Sequence, residues 1–385
     1  MHQADDAGIK TWQTFKQLCL LLARPETSVL PDFSEQDWRT FVRLASDHYV
    51  TPALAGSLER LATVPRDVTE YFSVFRELNK ARNRGILSAL SEILTGLREI
   101  GVAAVPLKGT ANIIAGVYDD PADRFMGDID ILVRSAQVNK AVVELYRLDY
   151  SAKDPEGARR WIRPPTPTHH VEMLTHSETG VGVEIHRALL SEQFDEILRA
   201  DDVFAGATAV DWNGQSVLIP SPTHRVIHNI AHYQLHHSGY SQGKIELRQL
   251  RELALIVSRD AGCIAWPEVE LRFNRTGHAD VLRRQAAQCL AFMGLRMPVD
   301  QGPAEEAEVR LCAKIAEDAS RQPSTRSALV RKLARLYLDG FIATPKLAVN
   351  LLNPFWWPQR IRGMRDFLQN EQPQEPNRES GIAVR

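Results

Sequence analysis

Apolar residues recur at helical spacing through the first hundred positions of the chain. Phe15, Leu18, Cys19 and Leu22 form one stripe, and Trp38, Phe41, Val42 and Ala45 form a second. Ser34 is placed to cap that second helix ahead of Glu35. A longer stripe runs from about Val68 to Ile100 through Phe72, Phe75, Leu78, Ile86, Leu90, Ile93, Leu94 and Leu97. Gly101 stands where a glycine that ends a helix belongs.

The pattern then changes to short apolar runs. Residues 102–107 read as a buried strand ending at Lys108-Gly109, and Thr110 is placed to cap a helix from Ala111 to Val117. Residues 128–133 read as a second strand, after which Ser135 would cap a helix through Tyr146. Residues 170–174 and 181–187 read as strands about a turn at 177–180, and 217–219 as one more strand. Helical periodicity returns at about 222–237, 244–259, 267–275, 278–292, 304–318 and 324–340, then near 359–368 beyond Phe355-Trp356-Trp357.

These elements predict an α+β protein. A small mixed β-sheet core over 85–220 is flanked by a helical N-terminal region (1–84) and a helical C-terminal domain (221–369), with a Gln-, Glu-, Pro- and Asn-rich tail at 370–385 expected to be disordered. Hydrophobic residues at 44% and charged residues at 24% supply an ordinary globular core. Lys and Arg number 46 against 48 Asp and Glu, a net charge of −2, which removes the usual electrostatic basis for binding long nucleic acid. Cys19, Cys263, Cys289 and Cys312 are far apart with no CxxC, against a zinc ribbon or a disulfide framework. Asp5 and Asp6 replace the basic start of a secretory signal, and the early apolar run 18–23 is far short of the ~20 residues that span a bilayer. A cytoplasmic protein without a membrane segment is the expectation.

The sharpest chemical feature is Gly127-Asp128-Ile129-Asp130 opening an apolar strand. Alternation puts Asp128 and Asp130 on one face, where the two carboxylates repel unless a divalent cation sits between them or both are solvated at a strand end. Oxygen donors of this kind suit Mg²⁺ or Mn²⁺. Lys108-Gly109-Thr110 joins a strand to a helix, as phosphate-binding turns do and as plain strand–helix turns also do. Val183-Glu184-Ile185-His186 adds a third carboxylate in an apolar strand. Three strand acids beside such a turn fit two-metal phosphoryl or nucleotidyl transfer.

The run Leu107-Lys-Gly-Thr, Arg124-Phe-Met-Gly-Asp-Ile-Asp-Ile-Leu-Val133 and Val183-Glu-Ile-His186 resembles the nucleotidyltransferase superfamily of the DNA polymerase β type. More narrowly it is similar to an uncharacterised bacterial nucleotidyltransferase family, best over residues 85–240. The resemblance implies that Asp128, Asp130 and Glu184 hold two Mg²⁺ (or Mn²⁺) ions. It implies that Gly109 and Thr110 cradle the triphosphate of an NTP such as ATP, and that Lys108 and Arg124 neutralise its charge. The product would be a nucleoside monophosphate ester on a hydroxyl of a small molecule, peptide or protein. Gly109-Thr110 departs from the superfamily's usual Gly-Gly or Gly-Ser, and residues 111–127 lengthen the usual gap to the aspartates. Glu172, on the other hairpin strand, competes with Glu184 for the third-acid role until register is known.

His224, His228, His232 and His236 fall four apart along one predicted helix face. They could bind a transition metal, line the substrate cleft or simply pack; the resemblance favours a cleft, with His170, His186, His228 and His232 as its candidates. Arg43 and His48 match a short RNase-like spacing on a helix that packing already explains. The basic helix residues Arg326, Arg331, Lys332 and Arg335 read as a solvated face or a receptor for an acidic acceptor. Two other roles stay open: an inactive nucleotide- or partner-binding scaffold, and an antitoxin-like modifier of a protein or a tRNA end.

Overall fold

Helix α1 (His2–Ala23) buries Trp12, Phe15, Leu18 and Leu22 along the stripe its periodicity predicts. The computed structural model describes residues 2–26, 29–153, 159–160 and 169–320. The helices expected at 324–340 and 359–368, the basic residues on them, Trp356-Trp357 and the 370–385 tail lie outside the described residues.

Helix α2 (Glu35–Asp47) begins with Ser34 as its cap: the Ser34 hydroxyl accepts from the Asp37 amide, and Asp37 accepts in return from the Ser34 amide. Helix α3 (Thr51–Glu59) follows, then the long α4 (Arg66–Glu99), closed by Gly101 at φ +70°. Strand β1 (Ala104–Pro106) leads into α5 (Lys108–Ile114). Strand β2 (Asp128–Val133) precedes a 3₁₀ turn (Ser135–Gln137) and α6 (Val138–Arg147). Strands β3 (Tyr150–Lys153), β4 (Arg159–Arg160), β5 (Leu174–His176) and β6 (Gly182–His186) complete the main sheet. Helix α7 (Ala200–Gly206) is followed by the hairpin β7 (Thr208–Trp212) and β8 (Gln215–Ile219). Then come α8 (Pro222–Ala231), α9 (Gly239–Gln242), α10 (Leu247–Arg259), α11 (Trp266–Arg275), α12 (Ala279–Met293) and α13 (Ala304–Ser320).

The architecture is α+β with a mixed sheet, as the patterning predicts. Strand order is β1-β2-β6-β5-β3-β4, with β2 parallel to β6 and the other pairs antiparallel. Ile129, Ile131, Val133, Val183 and Ile185 are buried on one face, toward α4 and α6. Burying a branched aliphatic side chain stabilises by roughly 1.5–3 kcal/mol, so this face anchors the central strands. The N-terminal and C-terminal helices share a core: Trp12 and Phe15 meet Phe292 of α12 edge-on, at 6.1 and 5.7 Å between ring centres.

Several local expectations are corrected. Thr110 does not cap α5; the helix starts at Lys108, itself at φ +50°, and the Thr110 hydroxyl donates back to the Leu107 carbonyl at 2.9 Å. Ser135 makes no cap hydrogen bond, because a 3₁₀ turn intervenes before α6. The run 170–174 is a strand only from Leu174 onward; upstream, His170 forms an isolated bridge to His186. The β7–β8 hairpin is longer than the single strand expected at 217–219. Its two-residue turn, Asn213-Gly214, has positive φ at both positions, +54° and +75°, the conformation an Asn-Gly turn favours.

Candidate active site

Strand register brings four polar side chains to the face opposite the aliphatic one. In the parallel pair, Asp128 lies beside Gly182, Asp130 beside Glu184 and Leu132 beside His186. Asp128, Asp130, Glu184 and His186 therefore project together. Glu172 lies upstream of β5 and is exposed, so register places Glu184 next to the aspartate pair.

Asp130 is the hub. Its Oδ1 accepts from Lys108 Nζ at 2.6 Å and contacts His186 Nε2 at 2.8 Å, with the Asp130 side chain 7% exposed. Glu184 Oε2 is 3.5 Å from the same imidazole nitrogen. Burial opposes the Asp130 charge, but Lys108 and His186 outweigh it and hold this carboxyl well below the usual range. Asp128 shows the opposite result: burial and the charge of Asp130 push it up to about 6, with Lys108 as the leading opposing influence. Burial disfavours charge on Lys108 too, yet Asp130, Asp128 and Glu184 raise its pKa. His186 is likewise raised, since its contacts with Asp130 and Glu184 outweigh burial.

Three carboxylates against one ammonium and one imidazole leave net negative charge in a buried place. Asp130, Glu184 and His186 each offer a ligand atom, all within 4.8 Å of one another. The carboxylate oxygens of Asp130 and Glu184 suit a hard divalent cation, while the His186 imidazole suits a softer one.

Among the other residues expected in a triphosphate turn, Lys108 alone directs its polar side-chain atoms at the carboxylates. An added Cβ on Gly109 would come within 3.2 Å of Met126 Cγ and 3.3 Å of Arg124 Nη2, a close approach that either side chain would have to relieve by a few tenths of an ångström. Thr110 is buried with its hydroxyl turned to Leu107. The first intrahelical bond of α5 runs from the Ala111 amide to the Leu107 carbonyl, ahead of which lie the amides of residues 108–110. Arg124, expected to face phosphate, is buried behind the turn. It donates to Glu252 of α10 through Nε at 2.6 Å, and to the Phe125 carbonyl. Tyr118 donates to the same Glu252 carboxylate at 2.9 Å. Of the two cations expected at the turn, Lys108 therefore faces the carboxylates and Arg124 does not.

The loop before β2 is held by polar residues on α4. Asn79 Nδ2 donates to the Ala122 and Arg124 carbonyls at 2.7 and 3.0 Å, and Asn83 Nδ2 to the Pro121 and Arg124 carbonyls at 2.6 and 2.7 Å. Arg76 pairs with Asp120 and Asp123 at 2.7 and 2.9 Å. Residues 72, 76, 79, 83, 86 and 90 share one helix stripe, so these three are polar breaks in an apolar seam. That interruption was the available sequence signal, and the sequence reading missed it.

The histidines gather on the same side. A pocket is lined by Lys108, Asn112, His228, His232, Gln249 and Glu252, among others. After α8 the chain widens into a π turn, His232–His236, and the His237 amide donates to the His232 carbonyl at 3.0 Å. His169 and His170 lie 5.7 and 5.2 Å from His186 between ring centres, and His228 lies 5.5 Å from His232. Burial, with Lys108 and neighbouring imidazoles, keeps His232 well below its usual pKa and holds His228 near 3. His224 lines the same pocket, and its Nε2 also lies 3.5 Å from Glu268 of α11. The predicted four-apart face thus holds from His224 through His232 and is interrupted beyond it by the π turn. His237 and His169 join the group although the spacing did not single them out.

Residues 34–294 match a family described as uncharacterised nucleotidyltransferases, a span that extends past the 85–240 resemblance at both ends. No curated protein and no solved structure matches the chain. Among the described residues no helix is long and apolar enough to cross a membrane.

Proposed function

Because this chain belongs to the family of uncharacterised nucleotidyltransferases, we propose that it moves a nucleoside monophosphate from an NTP to a hydroxyl of a small-molecule, peptide or protein acceptor. The observation that carries this reading is the parallel register of β2 and β6, which sets Glu184 beside Asp130 with Asp128 two residues away on the same face. Three strand acids so grouped are what the resemblance to the DNA polymerase β type implies.

Asp128, Asp130 and Glu184 are the residues that would hold Mg²⁺ or Mn²⁺, two ions in this chemistry, which when bound neutralise phosphate charge and acidify the acceptor hydroxyl. Lys108 is placed to neutralise the triphosphate, and exchanges its Asp130 partner for phosphate oxygens. The amides of Gly109 and Thr110 supply further donors at the same turn. Arg124 acts from behind as a positioning residue, since Glu252 already balances its charge. His186 fixes the Asp130 carboxylate by its 2.8 Å contact. His170, His228 and His232 line the side on which an acceptor would lie.

Isothermal titration of the full chain with each of the four NTPs in Mg²⁺ tests this directly. Metal-dependent binding of an NTP that disappears in Asp128→Asn/Asp130→Asn is the expected result. Transfer of label from that α-³²P NTP to candidate acceptors then follows. Binding of no NTP by the wild-type chain, or equal binding by the double variant, would overturn the reading.

A further inference from the structure

We propose that His232, His236 and His237 form a second metal site, chemically distinct from the carboxylates, that takes one transition-metal dication of the zinc class. A ligand nitrogen from each of the three lies within 4.8 Å of the other two. Their ring centres are 5.4 Å apart for His232–His236, 4.4 Å for His232–His237 and 5.0 Å for His236–His237. In a tetrahedral zinc site with Zn–N bonds of about 2.0–2.1 Å, nitrogens stand roughly 3.4 Å apart. Small side-chain rotations close the remaining gap.

The backbone is what makes this convergence achievable. In a regular α-helix, residues five apart diverge by roughly 140° around the axis. His237 would then point away from His232. The π turn His232–His236 places the His237 amide on the His232 carbonyl and returns both His236 and His237 to the same imidazole. Single π turns of this kind recur at functional sites.

A second observation points to a ligand. His236 Nδ1 is buried with no hydrogen-bond partner among the described residues. Buried polar atoms are nearly always paired, so this nitrogen calls for one. His169, its ring centre 4.6 Å from that of His236, is the nearest further imidazole, and its carbonyl accepts from the Arg187 and Ala188 amides at the end of β6. The group is thereby tied to the carboxylate strand without containing a carboxylate itself.

The donor chemistry sorts the two sites. Imidazole nitrogen suits Zn²⁺, Co²⁺, Ni²⁺ or Cu²⁺, whereas Mg²⁺ takes oxygen and dehydrates reluctantly. Three imidazoles, with no fourth ligand grouped with them among the described residues, is also the composition of zinc sites that keep a position open to water or substrate.

The test is titration of the untagged full-length chain with Co²⁺ in excess Mg²⁺, followed by the visible d–d absorption, with bound Zn²⁺ counted by mass spectrometry after dialysis. One equivalent of Co²⁺ is expected. His236→Ala and His237→Ala should each weaken it by about tenfold or more. His237 is exposed, so its substitution leaves the core intact. Asp128→Asn/Asp130→Asn should retain the Co²⁺ bands, which separates this site from the proposed transfer chemistry: either can fail alone. Absence of Co²⁺ and Zn²⁺ binding in excess Mg²⁺ would overturn the proposal. So would binding that survives both histidine substitutions or vanishes with the aspartates.

Discussion

Arg124 and Glu252 form an ion pair at 2.6 Å with their side chains 5% and 2% exposed. It joins the loop ahead of the aspartate strand to helix α10, some 130 residues further along the chain. Burial alone would disfavour both charges. Their mutual attraction and the Tyr118 hydrogen bond reverse that, so Glu252 stays below its usual pKa.

Breaking this pair from one side should be severe. Arg124→Met or Glu252→Gln leaves a buried partner uncompensated and should lower the unfolding free energy by about 3–5 kcal/mol. Arg124→Met/Glu252→Leu should recover much of that loss. Urea denaturation of the three variants measures both effects. Equal stability of the wild type and the single variants would remove the pair from the account of how the loop is held.

Asp128→Asn should stabilise the protein while abolishing metal-dependent nucleotide binding. The folded-state pKa of Asp128, about 6, lies above its unfolded value of about 3.9. Its contribution to stability is therefore present below pH ~4 and lost as pH rises through about 6. At pH 7.5 the variant should gain on the order of 1–2 kcal/mol, and near pH 4 the two proteins should melt together. Melting temperatures from pH 4 to 8 decide it.

His186 works in the same direction at higher pH. Its pKa is raised in the fold against a usual value near 6.5, so its stabilising contact with Asp130 is complete below about pH 6.5. That contribution is lost as pH rises through the raised value. His186→Gln should be less stable than the wild type at pH 6 and should show a flatter profile to pH 9. A wild-type profile that is itself flat over this window would contradict the assignment.

Lys108→Met should weaken NTP binding by about tenfold or more, since a charge-assisted contact with phosphate is worth about 1.5–3 kcal/mol. Calorimetric titration reads this, and unchanged affinity would move phosphate recognition elsewhere.

Asn83→Leu should destabilise by about 1–3 kcal/mol, because it strips the Pro121 and Arg124 carbonyls of a donor inside the protein. Asn79 retains one bond to Arg124, so Asn79→Ala/Asn83→Leu should cost more than either alone. Chemical denaturation of the set tests that order.

What the sequence determined by itself is local. The Ser34 cap, the Gly101 helix end, the core stripes of α1, α2 and α4, and the shared face of Asp128 and Asp130 all depend on residues within a few positions of one another, where periodicity and capping chemistry act directly. The Asn213-Gly214 hairpin was equally local, although the sequence reading missed it. Other features depend on contacts between distant segments, and the tertiary structure alone decided them. Strand register put Glu184, not Glu172, beside Asp130, because a parallel pairing is set by how whole strands bury their aliphatic faces. That Arg124 pairs with Glu252 of α10 was likewise invisible until the fold brought the two together. The histidine spacing predicted one straight face, but the π turn bent it toward His237. A backbone detour of that kind follows from what surrounds a helix, and its own periodicity carries no trace of it.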